Sequence, residues 1–153
     1  MAEAPTPTGQ DRPGWLALLA RATPEELDST WDALPRVPAY TVLQAPTVGL
    51  VMVRGRAGGE GRPFNLGETT VTRATVRIDR DVVGHGYVLG RRRRCAERIA
   101  VFDALLQTGD RNGLLGDILL DPVRKRTQRE RARRRRRAAA TRVDFFTMAR
   151  EAS

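Results

Sequence analysis

Strand patterns follow one another between Tyr40 and Leu89 with no helical pattern between them, and this succession restricts the fold more than any other property of the chain. Residues 69–78 alternate between apolar and polar side chains, which is typical of a strand with one buried face. The side chains on the face predicted to be buried are Thr72, Ala74, Val76 and Ile78. A turn at Asp79–Asp81 and the run Val82–Leu89 then predict an antiparallel neighbour for this strand.

Two earlier strands are predicted at Tyr40–Gln44 and Val48–Arg54, with Ala45-Pro46 between them. The second of these carries apolar residues on both faces, so we expect a central strand that is covered on both sides. The glycine-rich residues 55–67 are expected to form a long loop. With Val143–Met148 as a last strand, the prediction is an antiparallel sheet of three to five strands.

Helical patterns lie on both sides of these strands. Pro13–Ala22 and a segment that starts at Thr23 and ends near Leu34 predict an N-terminal helical hairpin, with Thr23 as the N-cap and Pro24 at the first helical position. Arg91–Gln107 is predicted to be a helix with one buried stripe. The residues of that stripe are Cys95, Ile99, Phe102 and Leu106. The predicted fold class is therefore α+β, with the C-terminal helices packed on the sheet.

The formal net charge of +9 lies almost entirely in one segment of this 153-residue chain. Residues 1–120 hold 15 arginines against 14 acidic side chains, whereas residues 121–142 hold 11 basic groups against two acidic ones. Blocks of like charge are commonly solvated, so residues 121–142 are predicted to be an exposed helix or a linker. They belong to a single predicted domain over residues 13–153, which follows a flexible tail at residues 1–12.

The composition excludes several classes of protein. A single cysteine excludes a disulfide-dense secreted domain, and the longest apolar stretch, Val48–Val53, is too short to span a bilayer. The first residues, MAEAPTPTGQDRPGW, lack the basic and apolar runs of a signal peptide. We therefore expect a cytoplasmic protein without a membrane segment.

The segment RGRAGGEGRPFNLGE, residues 54–68, combines arginines with glycines. Glycines allow backbone amides to approach an anion closely, and guanidinium groups add charge-assisted hydrogen bonds. The segment therefore indicates a site for a phosphate-bearing group or an acidic partner, with an ordinary hairpin loop as the alternative. It is not a Walker loop, because Lys125 is the only lysine of the chain.

His85, the only histidine, is the candidate for a catalytic base, although no neighbour in the sequence would orient its ring. A structural role is the alternative. One histidine and one cysteine cannot form a metal site by themselves, so no metal site is predicted on this chain. Cys95 has the periodicity of a packed residue, and burial is its expected state despite the four arginines that precede it.

The arginine run at residues 124–137 offers a second function, that of a small basic nucleic-acid-binding module. The run lacks interleaved aromatic side chains for base stacking, however. A solvated basic helix or linker is the favoured interpretation of the run.

The stretch VGLVMVRGRAGGEGRPFNLGETTVTR, residues 48–73, resembles the PhnG family, a subunit of the bacterial carbon–phosphorus lyase system for phosphonate use. Three further pieces resemble the same family in the same order: PGWLALLARA, then GHGYVLGR with AERIAVFDALLQ, and finally AATRVDFFTM. Together these pieces span nearly the whole chain.

The resemblance implies a subunit rather than a self-sufficient enzyme. Its partners would be the H, I and J proteins of the carbon–phosphorus lyase core and the ABC-type L protein. With H, I and L, the subunit would be required to form alpha-D-ribose 1-methylphosphonate 5-triphosphate and adenine from ATP and methylphosphonate. The main catalytic residues are expected on the I subunit, and the iron–sulfur cluster and S-adenosylmethionine on the J partner. No cofactor is expected on this chain alone.

The resemblance and the residue pattern meet at the arginine–glycine segment. We hypothesise that it docks on the catalytic subunit and helps to position the triphosphate. The candidate residues for binding a partner or a phosphate group are Arg54, Arg56, Gly58, Gly59, Arg62, Asn65, Glu68, Arg73 and Arg91.

Overall fold

In the part of the chain that the structure describes, three antiparallel strands lie between two N-terminal helices and three C-terminal helices. The computed structural model describes residues 11–56, 61–109 and 112–140. The elements are α1 (Arg12–Leu19), α2 (Pro24–Ala33), β1 (Tyr40–Arg56), β2 (Pro63–Ile78), a 3-10 turn (Asp79–Asp81), β3 (Val82–Leu89), α3 (Arg93–Thr108), α4 (Asn112–Leu115), a π-helical turn (Gly116–Leu120) and α5 (Asp121–Ala140). The α+β prediction is confirmed.

Both N-terminal helices begin with a side-chain cap. The Asp11 carboxylate accepts a hydrogen bond from the Gly14 amide at 3.0 Å. At the start of α2, the Thr23 hydroxyl accepts from the Glu26 amide at 3.2 Å, and the Glu26 carboxylate accepts from the Thr23 amide at 2.8 Å. This reciprocal pair satisfies two amides that have no partner within the helix, and it confirms the predicted N-cap at Thr23.

The sheet has the order β1-β2-β3, with both pairs antiparallel. The alternation in β2 is confirmed, because the even-numbered residues from Thr72 to Ile78 are buried whereas Arg73 and Arg77 are exposed. A 3-10 turn occupies the predicted turn at residues 79–81. The predicted strand Val143–Met148 lies outside the described residues.

The first strand differs from the prediction in two respects. Tyr40–Gln44 and Val48–Arg54 are one continuous strand, because irregularities in the pairing between Val42 and Thr47 accommodate Ala45-Pro46 without ending the strand. This strand is also an edge strand of the described sheet and is not covered on both faces. Its apolar side chains therefore do not form a central layer of the core, as the two-faced apolar pattern had predicted.

Helix α3 covers one face of the sheet and approaches β3 very closely. A Cβ atom added at Gly84 would lie 1.9 Å from the Ala100 carbonyl oxygen, and one at Gly86 would lie 1.7 Å from that of Ala96. Only glycine at these two positions lets the helix backbone lie directly on the strand. The predicted stripe on α3 is confirmed, since Cys95, Ile99, Phe102 and Leu106 are all buried.

The C-terminal helices complete the same core. Leu115, Leu119 and Leu120 are buried around the π-helical turn, and Val123 is the buried residue of α5. The arginine-rich residues that follow form an exposed helix as far as Ala140. In the part of the chain that the structure describes, no helix has the length and apolar character needed to cross a membrane.

Candidate functional site

A two-stranded ribbon projects beyond the three-stranded part of the sheet. The pairing between β2 and β3 covers only Val71–Ile78, whereas β2 begins at Pro63. Apart from a hydrogen bond from Gly90 to Thr70 at the base, residues 63–70 of β2 therefore pair only with residues 50–56 of β1 in the described sheet. These two segments are called the ribbon. At about 3.3 Å per residue, the ribbon extends roughly 25 Å from the sheet.

The ribbon exposes large apolar side chains. Leu50 is 63% exposed, Met52 49%, Phe64 46% and Leu66 60%. A two-stranded hairpin is marginally stable on its own in water, and an exposed edge strand offers unpaired backbone groups to another chain. These properties are those of a surface that becomes buried against another protein.

A bulge places one of these side chains. Val53 pairs with Gly67 and Arg54 pairs with Asn65, so Leu66 is the extra residue of β2. Its side chain lies beside Gly55, where an added Cβ atom would stand 2.6 Å from a Leu66 methyl carbon. The absence of a side chain at Gly55 therefore makes room for Leu66 near the tip.

The predicted long loop over residues 55–67 is wrong, because both strands continue into it. β1 reaches Arg56 and β2 begins at Pro63, whereas residues 57–60 lie outside the described residues. The glycine-rich composition favoured a loop, but backbone pairing makes residues 55–56 and 63–67 part of the strands.

The structure divides the predicted binding residues between the tip and the base of the ribbon. Exposed positions at the tip bring together Arg54, Arg56, Arg62 and Asn65. The Arg56 guanidinium donates to the Gly61 carbonyl at 3.4 Å, which holds this side chain across the hairpin end. Gly58 and Gly59 lie outside the described residues.

The remaining predicted residues lie farther along the sheet. Glu68 is exposed opposite Met52 in the ribbon, and Arg73 is exposed opposite Tyr87 in the three-stranded part. Arg91 is exposed and lies beyond the end of β3. It follows Gly90, whose amide donates to the Thr70 carbonyl at 2.7 Å. These three residues therefore do not join the arginines of the tip, and their binding role stays a prediction.

His85 lies on the exposed face of β3. Its Nδ1 atom is 3.2 Å from the Thr75 hydroxyl, and its backbone amide donates to the Asp103 carboxylate at 2.9 Å. Asp103 thus holds the strand at this point but does not orient the imidazole ring. Within the described ranges, no carboxylate is hydrogen-bonded to the ring, and a catalytic role for His85 stays a prediction.

Asp103 is an important residue that the sequence pattern did not indicate. Its side chain is fully buried and accepts hydrogen bonds from Arg12 Nη2 at 2.8 Å and Trp15 Nε1 at 2.8 Å, besides the His85 amide. One carboxylate therefore connects α1, β3 and α3. Since these donors come from distant parts of the chain, no local spacing could have predicted the cluster.

The remaining candidates for chemistry are structural. Burial raises the pKa of the Cys95 thiol and outweighs the nearby Arg92 and Arg94, which lower it. The thiol is therefore a packed neutral group, as its periodicity predicted. Across residues 11–56, 61–109 and 112–140, no three His, Cys, Asp or Glu side chains form a group that could hold a metal ion.

The family model of the phosphonate metabolism protein PhnG matches residues 10–151, and the chain belongs to this family. Among curated proteins, it is similar to the alpha-D-ribose 1-methylphosphonate 5-triphosphate synthase subunit PhnG of Rhizobium meliloti (strain 1021). The two are 48% identical over 135 residues, which cover 88% of this chain and 86% of that protein. The resemblance seen in the sequence is thereby confirmed, and the nucleic-acid-binding alternative is not favoured.

Proposed function

We propose that this protein is the G subunit of an alpha-D-ribose 1-methylphosphonate 5-triphosphate synthase and acts only in a complex with other chains. Family membership and the 48% identical relative support this function. The structural observation that carries it is the ribbon, which exposes Leu50, Met52, Phe64 and Leu66 to solvent in the isolated chain. Burial of such side chains against a second protein is favourable by about 25 cal/mol per Å² of apolar surface.

The partner of the ribbon is another subunit of the same synthase. The H, I and J proteins form the core with this chain, and the ABC-type L protein joins them for synthesis. In the reaction, an oxygen of methylphosphonate forms a bond to C1′ of the ATP ribose, and the bond from C1′ to adenine breaks. Adenine leaves, and the triphosphate remains on the ribose.

The main catalytic residues belong to the I subunit. In this chain, the ring of His85 lies on an exposed face, and the buried carboxylate of Asp103 is occupied by Arg12, Trp15 and a backbone amide. ATP is a substrate of the complex, and the iron–sulfur cluster and S-adenosylmethionine belong to the J subunit. The complex works in the cytoplasm.

The tip of the ribbon contributes charge to the docking. Arg54, Arg56 and Arg62 lie within one hairpin end, and guanidinium groups bind carboxylates and phosphates through paired hydrogen bonds. The apolar side chains supply affinity, while these arginines orient the ribbon on the catalytic subunit.

Co-expression of the full chain with tagged H and I subunits tests the proposed function. We expect co-purification of this chain and adenine release from ATP that requires methylphosphonate, this chain and the L protein. The double variant Arg56→Ala/Arg62→Ala is expected to weaken assembly or adenine release. Arg133→Ala/Arg136→Ala, which removes two exposed arginines of α5, serves as the matched control. No stable complex with the wild-type chain, or adenine release that is independent of it, would refute the proposal.

A further inference from the structure

A basic groove lies away from the ribbon tip, between the end of α1, the end of β3 and α5. Its volume is about 340 Å³, and its charged lining residues are Arg21, Arg92, Arg126, Glu130, Arg131 and Arg134. Ligand-binding clefts commonly have volumes of about 300–1,000 Å³. Five arginines and one glutamate therefore surround a space large enough for a small anion.

The orientation of α5 is fixed by one of these arginines. Arg126 donates to both carboxylate oxygens of Glu26, at 2.8 and 2.9 Å, and to the Arg21 carbonyl at 2.7 Å. This paired contact attaches α5 to α2 and to the end of α1. This specific contact therefore fixes which side of α5 faces the groove.

That face carries basic side chains at helical spacing. Arg131 and Arg134 are three positions apart on α5, and both line the groove. Thr127, which lies four positions before Arg131 and seven before Arg134, also lines it. Arg133 and Arg136 belong to the same arginine run but do not line the groove. Among the many arginines of α5, Arg131 and Arg134 therefore join Arg126 in lining this space.

The positive charge of the groove is largely uncompensated. Glu130, its acidic residue, accepts from Arg126 at 3.1 Å. Within the described ranges, Arg21, Arg131 and Arg134 have no carboxylate within ion-pair distance. Like charges gathered in one place repel one another, and an anion in the groove would remove this repulsion.

We propose that this groove binds the triphosphate group of a nucleotide or sugar triphosphate. The choice of triphosphate rests on the proposed function, since the relative is named for a triphosphate product. A triphosphate chain presents several anionic oxygens in a row, which suits guanidinium forks on two sides of a cleft. Among the described residues, no aromatic side chain lines the groove for base stacking, so a single-stranded nucleic acid is a poorer occupant.

Calorimetric titration of the full chain with inorganic triphosphate, at an ionic strength of about 0.15 M, tests this inference. The groove variant is Arg131→Gln/Arg134→Gln, and the matched control is Arg133→Gln/Arg136→Gln, which removes the same charge from the same helix. We expect the groove variant to bind triphosphate about tenfold more weakly or worse and the control to stay within about twofold of the wild type. Orthophosphate is expected to bind much more weakly than triphosphate.

Three results would overturn the inference. Equal weakening by both variants would indicate a diffuse charge effect, and no heat of binding in the wild type would indicate no site. Tight binding of a single-stranded oligonucleotide that displaces triphosphate would assign the groove to nucleic acid. Far-ultraviolet circular dichroism shows whether both variants keep their helices. Co-purification with the H and I subunits tests the proposed function separately. The groove variants are expected to co-purify like the wild type, and failure of the wild-type chain to assemble with H and I would refute the proposed function.

Discussion

Two exposed leucines of the ribbon are expected to contribute strongly to partner binding. The perturbation is Leu50→Ser/Leu66→Ser, which removes apolar surface from both strands of the ribbon without touching the buried core. Full burial of a leucine side chain is favourable by about 1.5–3 kcal/mol. Leu50 is 63% exposed and Leu66 60%, so docking can bury roughly three-fifths of that value at each site.

The expected loss is therefore about 1–2 kcal/mol for each leucine and about 2–4 kcal/mol for the pair if the two sites act independently. At about 1.4 kcal/mol for each factor of ten, the dissociation constant should rise by roughly 30- to 700-fold. The isolated chain should keep its unfolding free energy to within about 0.5 kcal/mol, because both side chains are already in contact with water.

The assay is a binding titration of the full chain against the purified partner subunits, followed by adenine release at rising chain concentration. The control variant is Val42→Ser/Leu43→Ser, which removes apolar side chains that are 42% and 49% exposed at the other end of β1. We expect the control to bind like the wild type. A change below about threefold in the ribbon variant, or equal losses in both variants, would refute the reasoning.

Three further predictions concern the fold. Asp103→Asn should cost about 1–3 kcal/mol of unfolding free energy, measured in urea, because an amide in place of the buried carboxylate leaves some of the donors around it unsatisfied. Gly86→Ala should cost about 2 kcal/mol or more, or prevent folding, since the new methyl group would meet the Ala96 carbonyl at 1.7 Å. Glu26→Gln should destabilise the chain at neutral pH and less so in acid. Burial raises the pKa of Glu26, but hydrogen bonds from Arg126 and the Thr23 amide outweigh it and lower the pKa below 4.5. Its stabilisation is therefore complete above the unfolded value of 4.5 and is lost as the pH falls through the folded value.

Matched substitutions separate these effects from general sensitivity. Asp81→Asn changes a carboxylate whose side chain is 93% exposed, and it should alter stability by less than about 0.5 kcal/mol. Gly113→Ala meets no atom within 4 Å and should be neutral or stabilising. If Asp103→Asn or Gly86→Ala behaved like its control, the buried cluster or the close helix contact would be wrongly assigned. A gap between wild type and Glu26→Gln that does not shrink below pH 4.5 would contradict the role given to that carboxylate.

Local patterns predicted those parts of the fold whose cause is local. The N-cap at Thr23 depends on Glu26, three residues away, and the two-residue period of β2 is a direct consequence of strand geometry. The stripe on α3 likewise follows from helical spacing. Family membership was also visible in the sequence, because the matching segments occur in order along nearly the whole chain.

The apolar residues of β1 show where the pattern was insufficient. Hydrophobicity at Leu50 and Met52 indicated burial, but it could not indicate whether the burial occurs inside this chain or against another one. The structure supplies the reason: β2 has 16 residues and cannot pair along its whole length with β3, which has eight. The unequal lengths of β2 and β3 leave a ribbon, which carries the predicted residues Arg54 and Arg56.

By itself, the sequence determined the α+β class, the helix starts, the face of β2 and α3 that is buried, and the family. Only the tertiary structure decided that β1 is an edge strand, that Asp103 connects three elements and that Arg131 and Arg134 line a groove while Arg133 does not. The physical reason is the range of the interactions. Periodicity and capping depend on residues a few positions apart, whereas edges, buried polar clusters and clefts form from segments that are distant in the chain.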